Sequence, residues 1–273
     1  MDVRPKKALG QHFLTDQSIA RAIVDSLSAT PRILEVGPGM GVLTQYLLQR
    51  TVPSAATLKV VEIDEESVVY LREHYPALAP GLLQADFLKL PLDKIFAEPF
   101  SVIGNFPYNI SSQIFFHILD YRELVPEVVC MIQKEVAERL AAGPGSKTYG
   151  ILSVLLQMWY DIEYRFTVGE GAFVPPPKVK SAVIRLTRNA RVEAGCDETL
   201  LRRIVKATFG LRRKTLRNSL RSIGIAGDDL PFLDERPERL SVEDFIALTR
   251  AISASRAGTP SHTGTKPPKG GAR

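Results

Sequence analysis

Short apolar segments alternate with amphipathic segments through the first two-thirds of the chain. Apolar runs of this length predict buried strands, and apolar residues at helical spacing predict helices that pack on them. The predicted strands lie at 32–36, 58–64, 82–87, 100–104, 128–133, about 162–168 and 181–186. The predicted helices follow Asp16 and the glycine-rich turn at 37–41, and occupy 66–74, 111–119 and 134–142. This alternation predicts an α/β fold with a mostly parallel sheet, which the last two strands close as a β-hairpin.

The pattern changes after Arg188. Residues 189–198 have the composition of a linker, 200–223 are helical and basic, and 241–252 form a second amphipathic helix. The sequence therefore predicts an α/β domain at 1–188 and a small all-helical domain at 189–254. Residues 255–273 are rich in Gly, Pro, Ser, Thr and Lys and are predicted to be a disordered tail.

Composition narrows the class of protein only slightly. The chain has 273 residues, of which 45% are hydrophobic, so it can bury a sizeable core. The net charge of +5 suits a polyanionic partner, but many unrelated proteins share such a surplus. Two cysteines without zinc-ligand spacing predict no metal site and a reducing, cytoplasmic location. No apolar run is long enough to span a membrane, and no signal peptide is visible before Thr15.

The first candidate motif is the turn Gly37-Pro38-Gly39-Met40-Gly41, which directly follows a predicted strand. Glycines at this place let a nucleotide cofactor approach the backbone at the carboxyl end of the sheet. The third glycine comes one residue too early for the dinucleotide fingerprint, which argues against a pyrophosphate and against a nicotinamide dehydrogenase. The spacing instead favours S-adenosylmethionine, which has no phosphates. A purely structural turn is the alternative.

Two acidic strand ends follow. Glu62, about 20 residues beyond the glycine turn, is placed to accept hydrogen bonds from ribose hydroxyls, while Asp64 is a candidate cap for the next helix. Asp86 ends the third predicted strand and could accept a hydrogen bond from the adenine amine of a cofactor. By position alone, Asp86 is equally well explained as a solvated loop residue.

The most informative motif is Asn105-Phe106-Pro107-Tyr108, which follows the fourth predicted strand. The Asn105 side-chain oxygen could accept a hydrogen bond from an exocyclic amine, Pro107 fixes the backbone, and Tyr108 could stack on the ring that carries the amine. Adenine N6 is a poor nucleophile because its lone pair is delocalised into the ring. Two acceptors on its hydrogens would turn that lone pair towards a methyl group, and no metal is needed.

Two further segments complete the candidate surface. Three prolines after Phe173 make a stiff, extended loop that could hold Phe173 against a base, although the residues alone favour a plain hairpin connection. The segment 202–221 is basic and has no acid. Arg213, Arg217 and Arg221 would lie on one face of a single helix, and such a one-sign stripe favours phosphate binding over a solvated surface.

The sequence resembles the small-subunit ribosomal RNA adenine dimethyltransferases, the kasugamycin-sensitivity family, over roughly residues 5–252. The segments that carry the resemblance share one order along the chain and lie at 6–14, 37–41, 105–111, 133–137, 173–183 and 209–220. So many separate motifs in one order make the resemblance highly specific.

The resemblance implies a class I methyltransferase fold, Rossmann-like, with a seven-stranded sheet and a helical C-terminal domain. It implies N6,N6-dimethylation of two adjacent adenines in the 3′-terminal hairpin of 16S rRNA, within the 30S subunit or its precursor, with S-adenosylmethionine as cofactor. It also implies a role in 30S biogenesis, and we expect a monomer.

The resemblance also assigns residues. The expected cofactor contacts are His12, Leu14, Gly37, Gly39, Glu62, Asp86 and Asn105. The expected catalytic residues are Asn105, Pro107, Tyr108 and Phe173. The expected RNA contacts are Arg212, Arg213, Lys214, Arg217 and Arg221. The family often has Asn where this chain has His12, which leaves open whether residue 12 acts through its side chain or its backbone.

Two competing functions remain at this level. The sister family of antibiotic-resistance enzymes methylates one adenine of large-subunit rRNA by the same chemistry. The basic motif at 212–220 and the proline loop after Phe173 favour the small-subunit family. Alternatively, the protein is chiefly a ribosome-assembly factor, with methylation secondary.

Overall fold

The computed structural model describes residues 3–6, 9–50 and 57–257. The chain divides into two compact units, 1–192 and 193–273. Residues 258–273, the larger part of the predicted tail, lie outside the described residues, as do Lys7 and Ala8 of the first family motif. The tail was predicted to begin at 255, but the last helix continues to Ala257.

A seven-stranded sheet forms the centre of the first unit, as the sequence predicts. Its strands are β2 (Ile33–Val36), β3 (Leu58–Glu62), β4 (Leu82–Gln84), β5 (Ser101–Asn105), β6 (Glu127–Gln133), β7 (Tyr160–Val168) and β9 (Ser181–Arg188). The spatial order is β4-β3-β2-β5-β6-β9-β7. The first five are parallel, and β9 pairs antiparallel with both β6 and β7. The mixed α/β fold and the closing hairpin are therefore confirmed.

Helices connect these strands. They are α1 (Gln17–Asp25), α2 (Thr44–Arg50), α3 (Glu65–His74), α4 (Ser111–Asp120), α5 (Lys134–Ala141) and α6 (Ile151–Gln157). Helix α1 begins where the sequence predicts, because the Asp16 carboxylate accepts hydrogen bonds from the amides of Ser18 at 2.9 Å and Ile19 at 3.2 Å.

Two features of the first unit escape the apolar pattern. Helix α6 has only seven residues and is buried over most of its length, so its apolar run has no helical periodicity to detect. Two-residue strands, β1 (Phe13–Leu14) and β8 (Phe173–Val174), pair antiparallel with each other. Strands this short have no alternation to reveal them. The predicted strand at 82–87 is also too long, because Phe87–Lys89 form a 3-10 helix.

The direction of chain crossing changes at β2. From β2 the chain moves through β3 to β4 on one side, then returns to place β5 on the other side. Such a reversal opens a crevice at the carboxyl ends of the strands. Gly104 in β5 lets the strands approach there, because a Cβ atom would lie 2.4 Å from the carbonyl oxygen of Val36. The fold thus places a crevice between the glycine turn after β2 and Asn105 at the end of β5.

The second unit is helical, with α7 (Glu198–Gly210), α8 (Leu216–Arg221) and α9 (Val242–Ala257). The prediction of one helix over 200–223 is wrong, because the chain turns at 211–215. The amides of Leu216 and Arg217 donate to the carbonyls of Glu235 and Leu233, both at 2.8 Å. Bonds to a distant segment therefore satisfy the amides at the start of α8, and the local pattern cannot foresee such bonds.

Helix α9 starts where the sequence predicts. The Asp244 carboxylate accepts from the Ser241 amide at 2.9 Å, and the Ser241 hydroxyl oxygen accepts from the Asp244 amide at 3.2 Å. This is a reciprocal capping box. Among the helices of the described residues, none is long and apolar enough to cross a membrane.

Candidate active site

A cavity of about 300 Å³ lies at the carboxyl ends of the parallel strands. It is lined by the N-terminal segment 9–14, the glycine turn, the end of β3, residues 85–88 and the turn after β5. The sequence-predicted residues that it brings together are His12, Leu14, Gly37, Gly39, Glu62, Asp86, Asn105, Pro107 and Tyr108. Phe173 is the one predicted cofactor or catalytic residue that does not line it.

The glycine turn needs glycine for conformational reasons. Gly37, Gly39 and Gly41 all have positive φ, at 67°, 55° and 79°. A Cβ atom on Gly39 would also lie 3.0 Å from the Phe13 ring, whereas the space around Gly37 is open. The turn therefore presents bare backbone to the cavity at Gly37.

Glu62 fastens this turn to the end of β3. Its carboxylate accepts hydrogen bonds from the amides of Gly39 at 3.1 Å, Ile63 at 2.8 Å and Asp64 at 2.9 Å. The residue is only 4% exposed, and burial raises the pKa of its carboxyl group, although these hydrogen bonds oppose the shift. Glu62 therefore shapes the turn as well as lining the cavity.

Glu35 is a second buried carboxyl in the cavity wall, and no motif in the sequence marks it. It lies in the interior of β2 and accepts a hydrogen bond from the Thr44 hydroxyl at 2.6 Å. Burial raises the pKa of Glu35 to about 8, and the nearby Glu62 carboxylate acts in the same direction. An acid inside an otherwise apolar strand was the available signal.

Asp64 and Asp86 have local partners. Asp64 stands at the N-cap position of α3 but makes no side-chain bond to the helix backbone, so the predicted capping bond is not formed. Instead its carboxylate pairs with Lys6 and accepts from Gln11 at 3.3 Å, which ties the N-terminal segment to β3. Asp86 accepts from the Leu88 amide at 3.0 Å and pairs with Lys89 at 3.5 Å.

Asn105 is oriented by the N-terminal segment. Its side-chain nitrogen donates to the main-chain carbonyl of His12 at 3.1 Å. Because this bond occupies the nitrogen, the side-chain oxygen is the atom left for a ligand amine. Gly10 lies against a different residue of the turn after β5, because a Cβ atom there would lie 2.6 Å from the Asn109 side-chain oxygen.

The two rings of the site lie side by side. The His12 and Tyr108 rings are stacked, with centroids 5.6 Å apart and planes inclined by 25°. His12 Nδ1 hydrogen-bonds to the carbonyl oxygen of Pro175 at 2.9 Å, and the Tyr108 hydroxyl hydrogen-bonds to the hydroxyl of Ser181. Burial raises the pKa of the Tyr108 hydroxyl, so it remains a neutral phenol at physiological pH.

Phe173 does not offer the stacking face that the sequence suggests. It is 2% exposed and packs in the core cluster that includes Leu14 and Val183. Its strand β8 pairs with β1, which draws the ring inward. The Phe173 ring therefore faces the core and not the cavity in this structure, and its role as a second stacking face stays a prediction.

The basic residues of the second unit do not form one helical stripe. Arg213 lies in the turn before α8, whereas Arg217 and Arg221 lie within α8. Arg217 pairs with Asp228 at 2.8 Å and Asp234 at 3.4 Å, and Arg212 lies 3.9 Å from Glu238. Arg213, Lys214 and Arg221 have no ion pair within the described residues. The uncompensated charge therefore lies at the turn and at the end of α8.

The chemistry of the cavity excludes a phosphate cradle. Glu35, Glu62 and Asp86 line it, and no lysine or arginine does so among the described residues. Carboxyl groups and bare glycine backbone, with no cation to hold a phosphate, suit a phosphate-free adenosine cofactor. The described residues also contain no cluster of metal-ligating side chains, and both cysteines are free.

A comparison with protein families matches residues 3–246 to the model described as Ribosomal RNA adenine dimethylase. The chain belongs to this family. The enzyme therefore uses S-adenosylmethionine as methyl donor and methylates adenine in ribosomal RNA.

Curated relatives agree with this family membership. The chain is 60% identical over 259 residues to the Ribosomal RNA small subunit methyltransferase A of Phocaeicola vulgatus. This alignment covers 93% of the chain and 91% of the relative. The chain is 56% identical over 256 residues to the protein of the same name from Cytophaga hutchinsonii, covering 92% and 98%.

Solved structures share the fold. A dimethyladenosine transferase from Plasmodium falciparum aligns with a TM-score of 0.75 at 21% identity, covering 90% of this chain and 98% of that chain. The 23S rRNA methyltransferase ErmE aligns with a TM-score of 0.63 at 24% identity, covering 87% and 99%. These likenesses confirm the predicted methyltransferase fold.

The buried Glu35 should make the stability of the enzyme depend on pH. Its folded-state pKa of about 8 lies above the ordinary value of 4.5, so its contribution is complete below the ordinary value and is lost as pH rises through about 8. We expect the free energy of unfolding of the wild type to fall over this window, by up to about 1.4 kcal/mol per pH unit, relative to Glu35→Gln. Urea unfolding at several pH values measures this difference.

The control for that experiment is Glu73→Gln, which removes an exposed carboxylate of α3. It should follow the wild type across the same pH range. Parallel stability curves for wild type and Glu35→Gln would show that Glu35 is ionised in the folded enzyme.

Proposed function

We propose that this enzyme transfers methyl groups to N6 of two adjacent adenines in the 3′-terminal hairpin of 16S rRNA, giving N6,N6-dimethyladenosine. We propose that it acts as a monomer in the cytoplasm on the 30S subunit or its precursor, and so takes part in 30S biogenesis. Support comes from the curated relatives, which are named as small-subunit methyltransferases at 56–60% identity. The observation that carries the chemistry is the orientation of the Asn105 amide.

The Asn105 side chain is arranged to receive an amine. Its nitrogen is held by the His12 carbonyl, so its oxygen is available to accept one N6 hydrogen of the target adenine. We assign the second N6 hydrogen to a main-chain carbonyl of the turn at 105–108. With both hydrogens accepted, the nitrogen becomes more tetrahedral and its lone pair points at the methyl carbon. This alignment is worth more in the transition state than in the ground state.

Cofactor placement follows from the opposite wall of the cavity. S-adenosylmethionine supplies a methyl carbon bonded to a sulfonium, which needs no metal for its transfer. We assign the ribose hydroxyls to Glu62 and the adenine amine to Asp86, with Gly37, Gly39 and Leu14 forming the surrounding surface. The His12 ring is engaged by Pro175 and Tyr108, so residue 12 would act on the cofactor only through its backbone.

The target adenine must leave its helix before it can reach this site, because its amine is otherwise paired or stacked. We assign the flipped ring to Tyr108, whose own ring is fixed by the bond between its hydroxyl and Ser181. Pro107 holds the turn that separates Asn105 from Tyr108. The proton departs after methyl transfer, when the nitrogen is positively charged and acidic, so no general base is required beforehand.

The alternative substrate is large-subunit rRNA, the target named for ErmE. That likeness, at 24% identity, concerns the fold alone. The deciding experiment is mass spectrometry of modified nucleosides after incubation with cofactor and either immature 30S particles or large-subunit rRNA. N6,N6-dimethyladenosine in 16S rRNA supports the proposal, whereas methylation confined to large-subunit rRNA would refute it.

The cofactor assignment predicts a large effect at Glu62. Glu62→Ala should weaken S-adenosylmethionine binding by about 10- to 150-fold, the value of one hydrogen bond of about 1.5–3 kcal/mol to a charged group. The affinity of Glu62→Gln for S-adenosylmethionine should lie between those of the wild type and Glu62→Ala, because its amide oxygen can still accept the hydrogen bond from the Gly39 amide. Calorimetry measures both variants, with Glu65→Ala as the control for lost surface charge. Unchanged affinity in a folded Glu62→Ala enzyme rejects the assignment.

The acceptor site predicts separable effects at two residues. Asn105→Ala should depress single-turnover methylation strongly, with a smaller loss of cofactor affinity. Asn105→Asp should also be poor, because it places a carboxylate oxygen against the His12 carbonyl and a charge near the sulfonium. Tyr108→Ala should lose about 1–3 kcal/mol of base stacking, and Tyr108→Phe should retain much activity because it keeps the ring.

Single-turnover methylation of 30S precursor by these four variants measures the effects. Near wild-type turnover in Asn105→Ala would refute the amine-orienting role. Equal losses in both Tyr108 variants would mean that the hydroxyl bond to Ser181, and not the ring face, is what matters.

We also propose that five basic residues contact RNA and contribute unequally to the affinity for it: Arg212, Arg213, Lys214, Arg217 and Arg221. Arg213 and Arg221 form no ion pair with any residue that the structure describes, so replacing both with Gln should lower the slope of log affinity for RNA against log salt by about 1.8. Arg217→Gln should lower it by less, because Asp228 and Asp234 already neutralise part of that charge. RNA binding titrations at several salt concentrations measure the slopes. If the double variant keeps the wild-type slope, these cations are merely solvated.

A further inference from the structure

The connection from β8 to β9 is unusual in both composition and exposure. We call residues 174–180 the proline–lysine loop; their sequence is Val-Pro-Pro-Pro-Lys-Val-Lys, and they include no acid. Two valines are exposed, Val174 at 57% and Val179 at 44%, beside the exposed Lys178 and Lys180. Apolar and cationic side chains thus share one stiff segment, since consecutive prolines restrict its backbone.

Both ends of the proline–lysine loop are fastened to the two rings of the candidate acceptor site. The Pro175 carbonyl accepts the hydrogen bond of the His12 ring at 2.9 Å. At the other end Ser181, which directly follows the loop, hydrogen-bonds to the Tyr108 hydroxyl. The Lys180 carbonyl also accepts from the Lys134 amide at 2.9 Å. The loop is therefore held at the edge of the place assigned to the target base.

The two loop lysines carry uncompensated charge. Neither Lys178 nor Lys180 has an ion pair within the described residues, whereas the adjacent Lys134 pairs with Glu138 at 2.6 Å. A surface that is merely solvated usually mixes charges of both signs. Cations beside exposed apolar groups match the phosphates and the sugar or base faces of a nucleic-acid strand.

We infer that the proline–lysine loop is an RNA-binding surface of the first unit, separate from the basic residues of the second. Lys178 and Lys180 bind backbone phosphates next to the target nucleotide. Val174 and Val179 pack against the sugars or bases of the nucleotides that flank it. This inference rests on the proposed function, because it takes the RNA that presents the target adenine as the partner. The first unit would thus bind the RNA on both sides of the flipped nucleotide through a loop that is bonded to His12 and followed directly by Ser181, the partner of Tyr108.

The test compares two charge-matched double variants. Lys178→Gln/Lys180→Gln removes the loop cations, and Lys94→Gln/Lys147→Gln removes two exposed lysines that do not line the cavity. With 30S precursor as substrate, the loop variant should raise KM about tenfold and lower the salt slope by about 1.4–1.8, while calorimetry shows unchanged S-adenosylmethionine affinity. Lys178→Arg/Lys180→Arg keeps both charges and should therefore keep the wild-type KM and salt slope. Equal KM and equal slope in the two Gln variants would overturn the inference.

A second measurement identifies the class of partner. A photoreactive amino acid at Val179, irradiated on 30S precursor, should cross-link to 16S rRNA near the methylated adenines. Cross-linking to a ribosomal protein instead would overturn the inference. The wild-type enzyme distinguishes failure of this inference from failure of the proposed function. If the wild type forms no dimethyladenosine on 30S precursor, the proposed function is refuted. If the wild type forms it and the loop variants match the wild type in KM and salt slope, only the RNA-binding surface is refuted.

Discussion

The hydrogen bond from the Asn105 side chain to the His12 carbonyl joins two segments that are 93 residues apart, and the acceptor half of the site depends on it. A free asparagine could turn either its nitrogen or its oxygen towards a ligand, whereas this bond leaves the oxygen for an amine. The bond requires the N-terminal segment to lie across the ends of the strands. That position is secured by the bonds of Asp64 to Lys6 and Gln11 and by the pairing of β1 with β8.

Carboxyl groups and exposed cations occupy different places in the first unit. The cavity wall carries the carboxyl groups of Glu62 and Asp86 and no lysine or arginine among its described residues, which suits a sulfonium cofactor. Lys178 and Lys180, which have no ion pair within the described residues, lie outside the cavity on the proline–lysine loop. This separation of charge is what the proposed RNA contact requires, because a phosphate backbone is attracted to the loop cations and repelled by ionised carboxyl groups in the cavity.

The sequence predicts the structure best where a local pattern has one physical solution. Apolar runs that alternate with helical segments require a sheet with covered faces, and the seven strands were found with errors of a few residues. The sequence predicts the structure least well where a distant contact decides the outcome. Helix α8 begins as a separate helix because main-chain carbonyls of segment 233–235 accept hydrogen bonds from its first amides. Arg217 loses part of its charge to acids that lie outside the basic run, and Phe173 turns inward because β8 pairs with β1.

What the sequence determined by itself is the chemistry available at each strand end: glycines after β2, an acid as the last residue of β3, and Asn-Phe-Pro-Tyr beginning at the last residue of β5. Parallel strands bring their carboxyl ends to one edge, so these groups had to meet in one crevice. Only the tertiary structure decided how each group is used. It bonded the Asn105 nitrogen to the His12 carbonyl and the His12 ring to Pro175, and it buried Glu35 enough to raise its pKa to about 8. It also left Lys178 and Lys180 without an ion pair among the residues that the structure describes. Hydrogen-bond direction, burial and ion pairing depend on residues brought together from distant parts of the chain, and no local pattern records them.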